Sequence, residues 1–299
     1  MMASASARVA DGFATLIARA QLTQRDVDLF TGHRATVTTA VKSRLEVNKV
    51  DLIGSFARGT AIHGASDVDL LLVLSRSAVT WGGNLKSSGR VLGDVRDALR
   101  DRYSGTAIGR DGQAVVVGFN DGGHPIDVVP ACYLEHGGRL NYPLYAIPDG
   151  QNGWMQTSPG AHNKFIGDAE ARSGGKLKYV SQAFKVWRDA RVGGVPISAF
   201  HVELVLANEG LADGARSYSA VFRDLLVVLA RRECAALRDP IGVSGLIAAS
   251  VTESKRQQAA RTVFDSARHA DAAFTAEQRG DAREAVRQWG LVFNGRFPA

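Results

Sequence analysis

The sequence predicts an α+β fold, in which a small mixed sheet with helices is followed by a half that is almost wholly helical. Three observations carry that reading. Apolar residues recur at three- and four-residue spacing up to about residue 45 and again beyond about residue 160. Between those regions lie short segments, alternating or continuously apolar, of strand length. Gly54-Ser55 and Asn120-Asp121-Gly122-Gly123 punctuate those segments with turn chemistry.

Taken in chain order, Val9, Phe13, Leu16 and Ile17, then Val27, Phe30, Val37 and Val41, make residues 6–45 one or two helices. Residues 50–53 form a short strand stopped by Gly54-Ser55. Residues 67–74 (DVDLLLVL) begin in alternation and run on apolar, as a buried strand does. Residues 85–103 are helical, with Val91, Val95 and Leu99 four apart. Residues 113–119 and 125–129 are strands joined by a hairpin-type connector. Residues 142–159, rich in Gly, Pro and aromatic side chains, read as a loop crossing into the second region. Helices are then expected over 161–172, 176–191, 199–209, 217–237 and 252–292. The natural division is 1–150 for a core with its N-terminal helices and 151–299 for a helical lobe.

The chain has 299 residues, and its 36 Lys and Arg against 30 Asp and Glu leave a net charge of +6. Its 45% hydrophobic and 22% charged residues suit a globular protein with a real core. The longest apolar runs, residues 70–74 and 225–230, are far too short to span a bilayer. No basic segment followed by an apolar one opens the chain, so no secretory signal is expected. Two cysteines, Cys132 and Cys234, exclude a disulfide scaffold and a cysteine zinc site, and a reducing cytoplasm is the expected compartment. The modest basic excess favours a polyanionic ligand without choosing between a nucleotide and a nucleic acid.

The chemistry gathers in Gly54-Ser55-Phe56-Ala57-Arg58-Gly59-Thr60 and in Ser66-Asp67-Val68-Asp69. At Gly54 the missing side chain lets a phosphate approach the backbone, and Ser55 adds a hydroxyl. Asp67 and Asp69, two apart on a strand, project from one face. Asp127 lies in an apolar strand, an expensive place for an unpaired carboxylate. Each feature alone has a plain explanation: a turn, a strand end, a hydrogen-bonded structural acid. Together, if the strands are neighbours, the three carboxylates can hold two divalent ions beside a phosphate cradle.

Gly-Ser, then Asp-x-Asp, then a separated third Asp resembles the signature of the polymerase-β-like nucleotidyltransferases. GSFARGTAI through SDVDLLLVL is similar to the branch that holds oligoadenylate synthases, cGAS and the bacterial CD-NTases. Lys176-Leu177-Lys178 and Lys185-Val186-Trp187 resemble the K-L-K and K-x-W helix of oligoadenylate synthases, and residues 197–203 resemble the segment after it. The resemblance covers roughly residues 50–210. It implies a polymerase-β-like core and a helical lobe with an active-site cleft between them. It further implies Mg²⁺, two ions for which Mn²⁺ can substitute, held by Asp67, Asp69 and Asp127. Gly54, Ser55, Lys185 and Ser198 are the implied nucleotide-binding residues.

On the helix at 176–191, Leu177, Val180, Phe184 and Trp187 form an apolar stripe. Lys178 and Lys185, two turns apart, share the polar face. Lys164 reads as surface, and His63, His124, His162 and His201 as structural or exposed. Ala199 stands where bacterial members often carry a second small hydroxyl residue. The zinc-binding His and Cys cluster of the animal DNA sensor is missing, so nucleic acid is not expected to be required. The implied activity is joining nucleoside triphosphates into a cyclic di- or oligonucleotide second messenger with release of pyrophosphate, in anti-phage defence. A downstream effector protein would read the product, and no membrane is involved. Modification of RNA, a protein or a small molecule, or a non-catalytic nucleotide or RNA sensor, are the other readings.

Overall fold

A computed structural model describes residues 4–103 and 105–298. Two helices come first, α1 (Ala5–Ala20) and α2 (Gln24–Arg44), followed by β1 (Val47–Leu52), the short α3 (Gly54–Arg58) and β2 (Val68–Leu74). Next are α4 (Arg76–Val79), the paired β3 (Thr80–Trp81) and β4 (Asn84–Leu85), and α5 (Ser88–Arg100). Five strands follow: β5 (Ala107–Asp111), β6 (Ala114–Gly118), β7 (Ile126–Gly137), β8 (Tyr142–Pro148) and β9 (Trp154–Thr157). The rest holds α6 (Pro159–Arg172), α7 (Lys176–Asp189), α8 (Ala199–Asn208), α9 (Tyr218–Arg231), the paired β10 (Leu237–Arg238) and β11 (Leu246–Ile247), α10 (Glu253–Gln278) and α11 (Ala282–Val292).

These elements form two units. One comprises residues 22–164 with 241–245; the other takes the described residues up to Gln21, residues 165–240 and those from Leu246 onward. The division differs from the expected 1–150 and 151–299 at both ends. It falls inside α6, and α1 groups with the helical unit. The reason for the second difference is the stripe read from the sequence: Val9, Phe13, Leu16 and Ile17 are buried in the helical core. Phe13 meets Trp289 and Phe297 edge-on, at centroid distances of 4.9 and 5.2 Å. Gly12 leaves room for that contact, since a Cβ there would lie 2.5 Å from the Phe297 ring.

In the sheet unit the strand order is β1-β2-β7-β6-β5, with β8 on the distal part of β7 and β9 beyond β8. Only β2 and β7 run parallel; the other pairs are antiparallel. Twelve-residue β7 serves two neighbourhoods. Its first residues lie between β2 and β6, and its last pair with β8. Val68, Leu70, Leu72 and Leu74 of β2 join Ile126 and Val128 of β7 in one core with Val37, Val41, Val91, Val95 and Leu99 of α2 and α5. Leu71, Val73, Val129 and Ala131 belong to a second, smaller cluster with Tyr145 and Ile147. The continuous apolar run therefore marks a strand buried on both faces.

Residues 142–159, expected as a loop, instead contain β8 and β9. The prolines sit where a strand tolerates them, Pro148 at its last residue and Pro143 near its start, while residues 144–147 are buried. β5 escaped notice because its exposed, mixed composition carries little periodicity. The expected helical region over 252–292 is two helices separated at Gly280, and Asp281 caps α11 by accepting the Glu284 backbone N–H. Among the described residues no helix is long and apolar enough to cross a membrane.

Trp187 tests the helical core. It is fully buried on α7, tilted against Phe184 at 5.1 Å, and donates its indole N–H to Ser266 Oγ at 3.0 Å. Trp187→Ala is expected to cost on the order of 3–5 kcal/mol in urea denaturation of the full chain. A loss well below 1 kcal/mol would contradict this packing.

Candidate active site

Antiparallel pairing of β1 with β2 makes the Gly-Ser turn a neighbour of the Asp-x-Asp pair. Leu52 pairs with Leu70, and one residue later the Ile53 N–H donates to the Asp69 carbonyl at 2.9 Å. The chain then turns at Gly54, whose φ of +66° favours glycine. Space demands glycine as well. A Cβ at this position would lie 1.8 Å from Asp69 Oδ2, so the turn rests directly on that carboxylate. Ser55 follows in the first turn of α3, and its carbonyl accepts the Thr60 N–H at 2.9 Å.

The third acid arrives through the parallel pair. Val68 pairs with Ile126 and Asp69 with Asp127, an in-register match that puts both carboxylates on the same face. Val68 donates its N–H to the Pro125 carbonyl at 2.9 Å, holding the start of this pairing. Asp67 is exposed just before β2, while Asp69 and Asp127 are half-buried. Burial, then the charges of Asp67, Asp69 and Asp111, push the Asp127 carboxyl up to about 7.

Asp111, at the end of β5, was not anticipated from the sequence. The Asp111-Gly112 pair is itself a hairpin signal that points to β5 and to this acid. Among the described residues no three His, Cys, Asp or Glu side chains are gathered closely enough to hold a metal ion. The expected convergence thus exists in strand register and mutual charge, not as a closed coordination shell.

Lys185 and Ser198 lie in the helical unit. Lys185 is buried, with 3% of its surface exposed, which corrects the expectation of a shared polar face with half-buried Lys178. Phe184 and Trp187 flank it in the same buried stretch of α7. Ser198 caps α8, its hydroxyl accepting the His201 N–H at 3.3 Å, and its own N–H donates to the Ala249 carbonyl at 2.8 Å. The structure therefore unites Gly54, Ser55, Asp67, Asp69 and Asp127 in the sheet unit.

Comparison with known proteins gives concordant results. Residues 8–169 match the Second Messenger Oligonucleotide or Dinucleotide Synthetase domain, SMODS. A Bacillus cereus (strain VD146) protein described as "Probable cyclic nucleotide synthase IK1_05630" is 22% identical over 276 residues, spanning 82% of this chain and 81% of that one. Escherichia coli MS115-1 CdnC, solved with ATP, has a TM-score of 0.74 at 19% identity and covers 97% of this chain and 98% of its own. The Bradyrhizobium diazoefficiens CD-NTase CdnG, in complex with GTP, has a TM-score of 0.69 at 15% identity, with coverages of 96% and 99%. The polymerase-β-like fold expected from the sequence is the fold these structures share.

The raised Asp127 pKa carries a signed prediction. A carboxyl whose folded pKa lies above its unfolded value, near 4, stabilises the fold fully only below that value. The contribution is lost as pH rises towards about 7. In chelator, the melting temperature of Asp127→Asn should therefore gain on the parent between pH 4 and pH 7 and exceed it at pH 8. An unchanged difference across that range would show that burial and the neighbouring charges do not raise the Asp127 carboxyl.

Proposed function

The chain belongs to the Second Messenger Oligonucleotide or Dinucleotide Synthetase family, and on that premise we propose that it joins nucleoside triphosphates into a cyclic di- or oligonucleotide with release of pyrophosphate. The observation that carries the proposal is the register of Asp69 with Asp127, with Asp67 beside them and Gly54 resting on Asp69. A binding protein with no chemistry to perform gains nothing from this arrangement, because the acids repel one another.

The donor set fits a hard divalent cation. Asp67, Asp69 and Asp127 offer anionic oxygens, the ligands Mg²⁺ and Mn²⁺ prefer, and the neighbouring charges that join burial in raising the Asp127 pKa are charges a cation would offset. These three residues would hold the metal. When bound, divalent ions supply activation of the attacking hydroxyl and neutralisation of the triphosphate. Gly54 and Ser55 contact the donor phosphates, since the turn presents backbone and a hydroxyl beside Asp69. A ribose hydroxyl of one nucleotide attacks the α-phosphorus of the other, the new phosphodiester forms, and the bond to pyrophosphate breaks. Repetition on the linear product closes the ring.

Assignment of Lys185 and Ser198 to the nucleotide rests on the resemblance of their segments to oligoadenylate synthases. The ATP and GTP held by CdnC and CdnG support nucleoside triphosphates as the substrate class. A cytoplasmic setting, a role in anti-phage defence and an effector that reads the product complete the reading. Nucleic acid is not required for basal activity.

Incubation of the full chain with labelled nucleoside triphosphates and Mg²⁺ or Mn²⁺, then phosphatase digestion and mass spectrometry, tests the reaction. A phosphatase-resistant product is expected. Asp67→Asn combined with Asp69→Asn should reduce it to background while the melting temperature holds or rises. Undiminished product from the double variant would remove these acids from the chemistry.

A further inference from the structure

One buried imidazole touches or adjoins every segment that carries the motif. His124 stands three residues before Asp127 and is 5% exposed. Its Nδ1 donates to the carbonyl of Ser66, the residue before Asp67, at 2.6 Å. A carbonyl only accepts, so this nitrogen carries the proton. The Ser66 hydroxyl in turn accepts the Ile62 N–H at 2.9 Å, which ties down the loop between the Gly-Ser turn and the acids. Phe56, one residue after Ser55, packs edge-on to the His124 ring at 5.4 Å.

The other ring nitrogen, Nε2, stands 3.3 Å from Asp26 Oδ1 without hydrogen-bond geometry. Asp26 belongs to α2 and is itself firmly held. Its Oδ2 accepts from the Thr23 backbone N–H, from the Thr23 hydroxyl and from His63 Nδ1, each at 2.7 Å. Burial pushes the Asp26 carboxyl up, but the Thr23 and His63 hydrogen bonds outweigh it and hold it far below the usual carboxylate range. Phe30, also on α2, packs on Phe56 at 5.0 Å and closes the circuit.

We propose that His124, bonded to the Ser66 carbonyl and packed between Phe56 and Asp26, is a positioning residue that sets the spacing of Gly54-Ser55, Asp67-Asp69 and Asp127. This rests on the reaction proposed above. A carboxylate pair brought together against its own repulsion needs a rigid support, and backbone pairing of β2 and β7 fixes strands rather than the loops that lead into them. His124 joins those loops, because one ring bonds the residue before Asp67, packs on Phe56 of α3 and stands three residues before Asp127.

The test uses the full chain with His124→Ala, His124→Asn, Asp26→Asn and, as a control, Ser87→Ala, which removes the hydroxyl that caps α5 by accepting the Arg90 N–H at 3.3 Å. Asparagine keeps a donor near the Nδ1 position while losing the Asp26 contact. The readouts are kcat, nucleotide KM, melting temperature and calorimetric Mn²⁺ affinity without turnover. Misplacement of catalytic groups by about 1 Å costs on the order of 10²-fold in rate. His124→Ala should lose kcat on that scale and bind Mn²⁺ more weakly, with KM little changed. His124→Asn should recover much of the loss, and Asp26→Asn should fall between them. Ser87→Ala weakens the cap of α5, so its melting temperature should drop while kcat of the folded protein stays. If His124→Ala lowers kcat only as its folded fraction falls, or if Asn rescues nothing, the ring is structural filling and the proposal is overturned. Should His124→Ala not fold, the Asn and Asp26 variants decide by the same criteria. An inactive parent would remove the proposed reaction, and the Mn²⁺ affinities would still decide the positioning role.

Discussion

Parallel pairing of β2 with β7 places Asp69 opposite Asp127, and this juxtaposition of like charges is the constraint around which the sheet unit is arranged. Burial, and then the charges of Asp67, Asp69 and Asp111, push the carboxyl of half-buried Asp127 up. Nothing local favours that arrangement. It persists because the strands on either side of the acids are fixed by what lies on the opposite face. Val68, Leu70, Ile126 and Val128, all buried, anchor β2 and β7 in the core formed with α2 and α5. Sliding one strand by a residue would turn those side chains out of the core, so hydrophobic burial enforces the electrostatic cost.

Gly54 belongs to the same constraint. Its positive φ and the absence of a Cβ let the chain leave β1 and pass within contact distance of the Asp69 carboxylate. The turn and the acid pair are thus one structural object, although about a dozen residues separate them in the sequence. Antiparallel pairing of β1 and β2 accounts for that separation.

Much of this was legible because its signals are local. The DVDLLLVL run declares a buried strand, the Asn-Asp-Gly-Gly connector a hairpin, and the Val9, Phe13, Leu16 and Ile17 stripe a packed helix. What escaped was set by tertiary partners. The stripe of α1 does not say which core it faces, and only its contacts with Trp289 and Phe297 assign it to the helical unit. Residues 142–159 look like a loop until β8 is seen to pair with the distal half of β7. Lys185 sits at a spacing compatible with a solvated face, yet it is buried, and spacing alone cannot distinguish the two. His124 showed no ligand spacing because its partners, Ser66 and Asp26, lie 58 and 98 residues away.

The central claim is that Asp67, Asp69 and Asp127 form a cation site joined to the Gly54-Ser55 turn. Crystals of the full chain grown with Mn²⁺ and a non-hydrolysable nucleoside triphosphate test it most directly, through anomalous scattering from manganese. The account predicts anomalous peaks bound by these three carboxylates, with the triphosphate reaching Gly54 and Ser55. Manganese bound elsewhere, or a nucleotide seated with no cation at these acids, would contradict it.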